Sequence, residues 1–155
     1  MKQLILPRGL PGSGKSTWTQ LRVARHFEED RGRSAAICST DDYHLIDGEY
    51  VFQPEKLAHF HAQNQIRAHR YMELGTELVV IDNTNIRRKD MATYINSAQQ
   101  FGYEVEEVIF GKEHLIPGDD MTKDLIDAYI EDCAKRNTHG VPLEIIAKMA
   151  ARFEE

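Results

Sequence analysis

The clearest chemistry in this chain lies in Gly9-Leu10-Pro11-Gly12-Ser13-Gly14-Lys15-Ser16, which matches G-x-x-x-x-G-K-[ST] in full. Glycines let a backbone turn its N–H groups toward phosphate oxygens, and a helix starting just after them adds its positive end. Lys15 supplies a point charge for β- and γ-phosphates, and the Ser16 hydroxyl suits Mg²⁺. Gly9, Gly12, Ser13, Gly14, Lys15, Ser16 and Thr17 are therefore the expected contacts of ATP, or another nucleoside triphosphate, bound with Mg²⁺.

Two further groups of residues could complete such a site. Leu78-Val79-Val80-Ile81 runs into Asp82, a Walker-B-like pattern whose carboxylate, with Ser16, would serve the metal; a strand-end cap is the alternative. Asp41 and Asp42 follow a second apolar run, and phosphoryl transfer to a hydroxyl needs a carboxylate to take its proton. Two solvated loop acids, or a helix cap, are the other reading of that pair. Asp42, His44, His61, Asn64, Asn83, Asn85 and Arg87 are candidate substrate contacts around the same rim. Arg87-Arg88-Lys89 could meet nucleic-acid phosphates or a nucleotide base, although a solvated helix start is the favoured reading, and His59 with His61 makes a poor metal pair, because residues two apart on a helix point differently. Trp18 reads as a packing residue.

The elements that must position these residues follow from pattern. Leu4–Leu6, Ala35–Ser39, Leu78–Ile81 and Glu104–Phe110 read as strands. Helical spacing covers Ser16–Glu29, Pro54–Leu74, Asp90–Phe101, Thr122–Arg136 and Pro142–Phe153, while Leu45–Gln53 and Gly111–Asp120 read as loops. Alternation of this kind predicts a single α/β domain over residues 1–155, a three-layer P-loop NTPase with a mainly parallel sheet of four to five strands. In such sheets ligands bind at the carboxyl ends of the strands, which places Asp41 and Asp82 on the rim that holds the glycine loop.

Composition narrows the partners. A net charge of −6 argues against a protein that coats duplex nucleic acid, since that binding is built on basic surfaces. Cys38 and Cys133 are too few for a disulfide framework and read as reduced packing residues. There is no signal-peptide pattern and no apolar run near the roughly 20 residues of a membrane span, so a cytoplasmic protein without membrane contact is expected.

At this point the sequence resembles a known family. Gly-Leu-Pro-Gly-Ser-Gly-Lys-Ser-Thr-Trp, ending at Trp18, resembles the kinase domain of the phage polynucleotide kinases, as do Ser39-Thr40-Asp41-Asp42-Tyr43, Ile81-Asp82-Asn83-Thr84-Asn85 and Arg136-Asn137-Thr138-His139-Gly140-Val141. The likeness is closer still to the P-loop kinase domain of the Nedd-binding proteins, where Asp47-Gly48, Tyr50, Phe52, Pro54, Leu57, His61, Asn64 and Arg67 look shared. The resemblance implies ATP- and Mg²⁺-dependent phosphorylation of a 5′-hydroxyl end of DNA or RNA, with a single-stranded end as substrate. It implies Asp41 as general base and Arg136 as a lid arginine; a helix C-terminal charge is the alternative for Arg136.

The chain also departs from the phage pattern. His44 stands where those enzymes have an arginine, the loop after Arg136 is short, and the phosphatase motif Asp-x-Asp-Gly-Thr is absent, so no phosphatase activity is expected. Two rival functions fit the same residues: a small-metabolite or nucleoside kinase, and a nucleotide-binding adaptor without turnover. The guanine-specifying motif Asn-Lys-x-Asp is missing, which counts against a GTPase switch.

Overall fold

The structure is a computed structural model that describes residues 1–155. Four parallel strands form its sheet: β1 (Gln3–Arg8), β2 (Ala35–Cys38), β5 (Leu78–Ile81) and β6 (Glu104–Ile109), in the order β2-β5-β1-β6. The register sets Gln3 opposite both Leu78 and Glu104, and Cys38 opposite Ile81. Of the strands that follow one another in this sheet only β2 and β5 lie side by side, and each crossover carries a helix.

Alternation along the central strands builds two cores. Leu4, Leu6, Val79 and Ile81 point to one face, where α2 (Leu57–Glu73) and α3 (Arg88–Gln100) bring Ala68, Met72, Met91, Tyr94 and Ala98. Ile5, Leu78 and Val80 point to the other, against Trp18 and Val23 of α1 (Lys15–Glu29). Because both faces are covered, β5 is buried at all four positions, which is why it reads as an unbroken apolar run. This is the expected three-layer α/β arrangement with a four-stranded sheet. Trp18 packs edge-to-face on Phe110 at 5.7 Å, and both cysteines are buried and free.

A third core closes the rim side. Leu10 and Ile86 meet Leu115 of α4 (Lys112–Leu115), Ile130 and Cys133 of α5 (Lys123–Arg136) and Ile146 of α6 (Leu143–Arg152). Arg8, fully buried at the end of β1, ties this layer down. Its guanidinium donates to the carbonyls of Asn85 at 2.9 Å and Ile86 at 3.2 Å, to Glu107 at 3.0 Å, and to the carbonyl of Glu154.

Three segments differ from the sequence expectation. Leu45–Gln53 is not an open loop but starts with a hairpin, β3 (Leu45–Ile46) and β4 (Glu49–Tyr50). Its turn, Asp47-Gly48, has φ of 51° and 82°, the paired positive φ that two-residue hairpin turns demand. Asp41 lies in a 3-10 turn, Thr40–His44, capped by Ser39. The stretch after β6 contains the one-turn helix α4. No helix is long and apolar enough to cross a membrane.

Candidate active site

The glycine loop leaves β1 and enters α1, as the motif requires. Gly9 N–H donates to Thr84 O at 3.0 Å, so the loop is pinned to the segment after β5. The first turn of α1 holds no acid and no side-chain cap, leaving its N–H groups unneutralised toward the loop. Lys15 is buried inside the loop, where its ammonium donates to Leu10 O at 2.8 Å. Burial is the main reason its pKa falls from 10.5 to about 8; the Asp82, Cys133 and Asp41 charges act in the opposite sense.

Asp82 is half-buried near the Ser16 hydroxyl and the Lys15 charge. Burial nevertheless holds its carboxyl above the ordinary range. A half-buried carboxylate near a hydroxyl is a hard-oxygen donor set. Mg²⁺ commonly takes one or two such groups and fills its remaining positions with phosphate and water. The residues present therefore fit a Mg–nucleotide, with Ser16 and Asp82 as the side chains able to hold the metal.

The two acids at the end of β2 are in different surroundings. Asp42 Oδ2 pairs with the Arg67 guanidinium at 3.1 Å. Arg67 also donates to Ser39 O at 3.0 Å and Asn64 Oδ1 at 2.7 Å. Both acids act on the Asp82 charge, but Asp41 lies on the loop side and acts on Lys15 as well. Its Oδ2 is 3.2 Å from His139 Nδ1. At the end of α5, Arg136 reaches back over the glycine loop and donates from Nε to Gly12 O at 3.1 Å. Gly12 (φ 80°) has no room for a side chain: an added Cβ would sit 2.1 Å from Cys133 O and 2.8 Å from Asn137 N. The glycine is required here as much by the helix end packed on it as by any phosphate.

Lys15, Ser16, Asp82, Asp41 and Arg136 are thus brought to one rim, with Gly9, Gly12, Ser13, Gly14 and Thr17 in the loop and its helix. Asn83 accepts from Thr40 N–H at 2.9 Å, and His61 Nδ1 lies 3.1 Å from Thr40 Oγ1 on an exposed face. Three expected substrate contacts are turned away. His44 is 1% exposed, accepts from Gln53 N–H at 3.1 Å, and is enclosed by Tyr50, Phe52 and Phe60. It cannot reach a substrate phosphate. Asn64 is fully buried between Cys38 O and the Tyr94 hydroxyl. Asn85 (φ 50°) is buried, and its amide donates to Pro7 O at 2.8 Å and Ile81 O at 3.0 Å. Arg87 is engaged at the start of α3, where its N–H donates to Asp90 and its Nε lies 3.7 Å from that carboxylate.

Residues 4–114 match the family model described as an AAA domain, which spans the glycine loop, Asp41 and Asp82. The chain belongs to this family. Its architecture is that of P-loop kinase-like domains. The chain is 36% identical over 151 residues to human NEDD4-binding protein 2, a match covering 97% of this chain and 8% of that protein. It is 31% identical over 111 residues to the 2′,3′-cyclic-nucleotide 3′-phosphodiesterase of Rattus norvegicus, covering 67% of this chain and 23% of the relative. The chain therefore spans less than a quarter of either relative. A chain of the Pnkp1/Rnl/Hen1 RNA repair complex superposes with a TM-score of 0.60 at 18% identity, over 97% of this chain and 43% of that one. That last likeness is one of fold.

Tyr50, Arg67 and His139 entered the sequence reading only through the family likeness, with no role at the site. The Asp47-Gly48 turn was the signal for Tyr50, because a hairpin there returns the chain to the rim. No local pattern marks which acid Arg67 neutralises.

Proposed function

We propose that this chain is an ATP- and Mg²⁺-dependent kinase that moves the γ-phosphate to the 5′-hydroxyl of a DNA or RNA end. The observation that carries the reading is the placement of Asp41. It stands at the carboxyl end of β2, within the field of Lys15 and Asp82, while the neighbouring Asp42 is held by Arg67. That is where a general base must stand to serve a hydroxyl presented to a bound triphosphate. The choice of a polynucleotide acceptor is supported by the resemblance of the motif blocks to the polynucleotide kinases, and by the fold shared with a component of an RNA repair complex.

In this mechanism Lys15 and the loop N–H groups would bind the triphosphate, and Ser16 with Asp82 would hold Mg²⁺, which when bound would supply positive charge to the phosphates. Asp41 accepts the proton of the acceptor hydroxyl as the hydroxyl oxygen attacks the γ-phosphorus and the bond from that phosphorus to the β,γ-bridging oxygen breaks, releasing ADP. Arg136, already laid across the loop, provides positive charge for the phosphoryl oxygens.

The test is transfer of labelled γ-phosphate to 5′-hydroxyl single-stranded DNA and RNA, beside a panel of nucleosides and small alcohols. Labelled 5′ ends are expected. Labelling of a small molecule alone would move the function to a metabolite kinase, and slow hydrolysis with no labelled acceptor would leave a nucleotide-binding adaptor.

A further inference from the structure

We propose that His139 latches the loop after α5 onto Asp41, with Tyr50 as the surface against which it is seated, and that both are positioning residues for this carboxylate. The inference rests on the reading of Asp41 as the base.

Three parts of the chain meet at this point. His139 Nδ1 lies 3.2 Å from Asp41 Oδ2, and its ring stacks on Tyr50 with centroids 4.1 Å apart and planes inclined by 16°. The Asp41 carboxylate is near enough to the Tyr50 phenol to join burial, the larger cause, in pushing it up to about 12. Tyr50 is itself braced. It lies in β4, opposite Leu45, and its ring meets buried His44 at 5.7 Å. Val51 N–H donates to His44 O at 2.9 Å, binding the hairpin to the turn that carries Asp41.

The loop that carries His139 is preformed. Asn137 Oδ1 accepts from Val141 N–H at 2.9 Å, and its amide donates to Ala134 O at 2.7 Å. Three residues before His139, Arg136 is bonded to Gly12 of the glycine loop. One short rigid segment thus touches the phosphate side through Arg136 and the acceptor side through His139. Closing it over the triphosphate and orienting the carboxylate become a single event. With the Nδ1 edge of the ring set 3.2 Å from Oδ2, that oxygen is covered and Oδ1 is left to receive the acceptor proton.

The pair is poorly suited to a purely structural task. The Asp41 and His139 side chains are 48% and 38% exposed, and exposed pairs contribute little to stability. Their contact has value where orientation matters, at a reacting group.

His139→Ala, His139→Gln and Tyr50→Ala test the latch, each alone and the first also with Asp41→Asn. His139→Ala is expected to lower kcat about 10-fold, the scale of a modestly misplaced catalytic group, with the melting temperature and nucleotide Kd unchanged. His139→Gln, which keeps a donor, should recover most of the loss, and Tyr50→Ala should repeat it. On the Asp41→Asn background His139→Ala should cost about twofold or less, the non-additivity of residues acting as a unit. An unchanged kcat, a loss confined to acceptor KM, or losses that simply add would overturn the proposal. If no acceptor is phosphorylated at all, the functional reading fails separately. The latch is then decided by the imidazole NMR signals of His139. They should shift on Asp41→Asn and on Tyr50→Ala, and signals unmoved by both would remove it.

Discussion

Replacing Lys15 by Met should make the nucleotide-free protein more stable while removing its grip on triphosphate. An amine held near about 8 instead of 10.5 carries a charge that burial disfavours by about 3 kcal/mol at neutral pH. Methionine removes that burden and fills a similar volume. It also removes the hydrogen bond to Leu10 O, worth about 1 kcal/mol, although that carbonyl keeps its bond from Ser13 N–H at 3.1 Å. The net gain of about 2 kcal/mol corresponds to a melting point higher by about 4–8 °C for a chain of this size. The gain must also depend on pH. Between about 8 and 10.5 the unfolded amine binds a proton that the folded one has lost, so wild-type stability rises through that window relative to the variant. Calorimetric melts of both proteins at pH 7 and pH 10 measure this, and the gap should narrow at the higher pH. The comparison cancels the alkaline titration of Tyr50 and Tyr94, which both chains share. Nucleotide titration of the same samples should show a large loss of ATP affinity. A variant equally or less stable at pH 7, or a gap that ignores pH, would refute the claim that Lys15 is held under desolvation strain.

Three other outcomes follow from particular contacts. Asp41→Asn should lower kcat by about 10²- to 10⁴-fold with nucleotide Kd nearly constant, as for loss of a general base, and Asp42→Asn should cost far less in steady-state assays. A damaging Asp42→Asn beside a mild Asp41→Asn would show that the ion pair with Arg67 does not mark the idle acid. Gly12→Ala should reduce the melting temperature as well as turnover, because its Cβ would meet Cys133 O at 2.1 Å and the backbone is already at positive φ; an unchanged melt would mean the end of α5 yields freely. His44→Arg should destabilise the fold and leave acceptor KM unimproved, since the ring is enclosed by aromatic side chains. Tighter binding of phosphate-bearing acceptors in that variant would reopen a substrate role for His44.

Much of the fold was legible because it is written locally. Alternation at Leu4, Ile5 and Leu6 and the unbroken run Leu78–Ile81 mark strands whose faces are both covered, and these are the central strands of the sheet. Gly32, Gly75 and Gly102 stand just after the ends of α1, α2 and α3, where a glycine commonly stops a helix. The hairpin after His44 was not read from the sequence: Asp47-Gly48 marks its turn, but the polar stretch around it reads as a loop. Strands of two residues leave too short a pattern to detect.

What the sequence by itself determined is the phosphate chemistry: loop, lysine, hydroxyl and strand-end carboxylates are contiguous motifs whose backbone demands are met within a few residues. It also determined that Asp41 and Asp82 share a rim, since parallel strands put their carboxyl ends together. Only the tertiary structure decided which polar residues look into that rim. His44, Asn64 and Asn85 were candidates by type, yet each satisfies its hydrogen bonds inside the protein. Adjacent Asp41 and Asp42 are chemically identical in sequence and are separated by Arg67 from α2 and His139 from beyond α5. Residue type states what a side chain can bond; burial and the partners folding delivers from distant segments determine whether that capacity is satisfied within the protein or left open to a ligand.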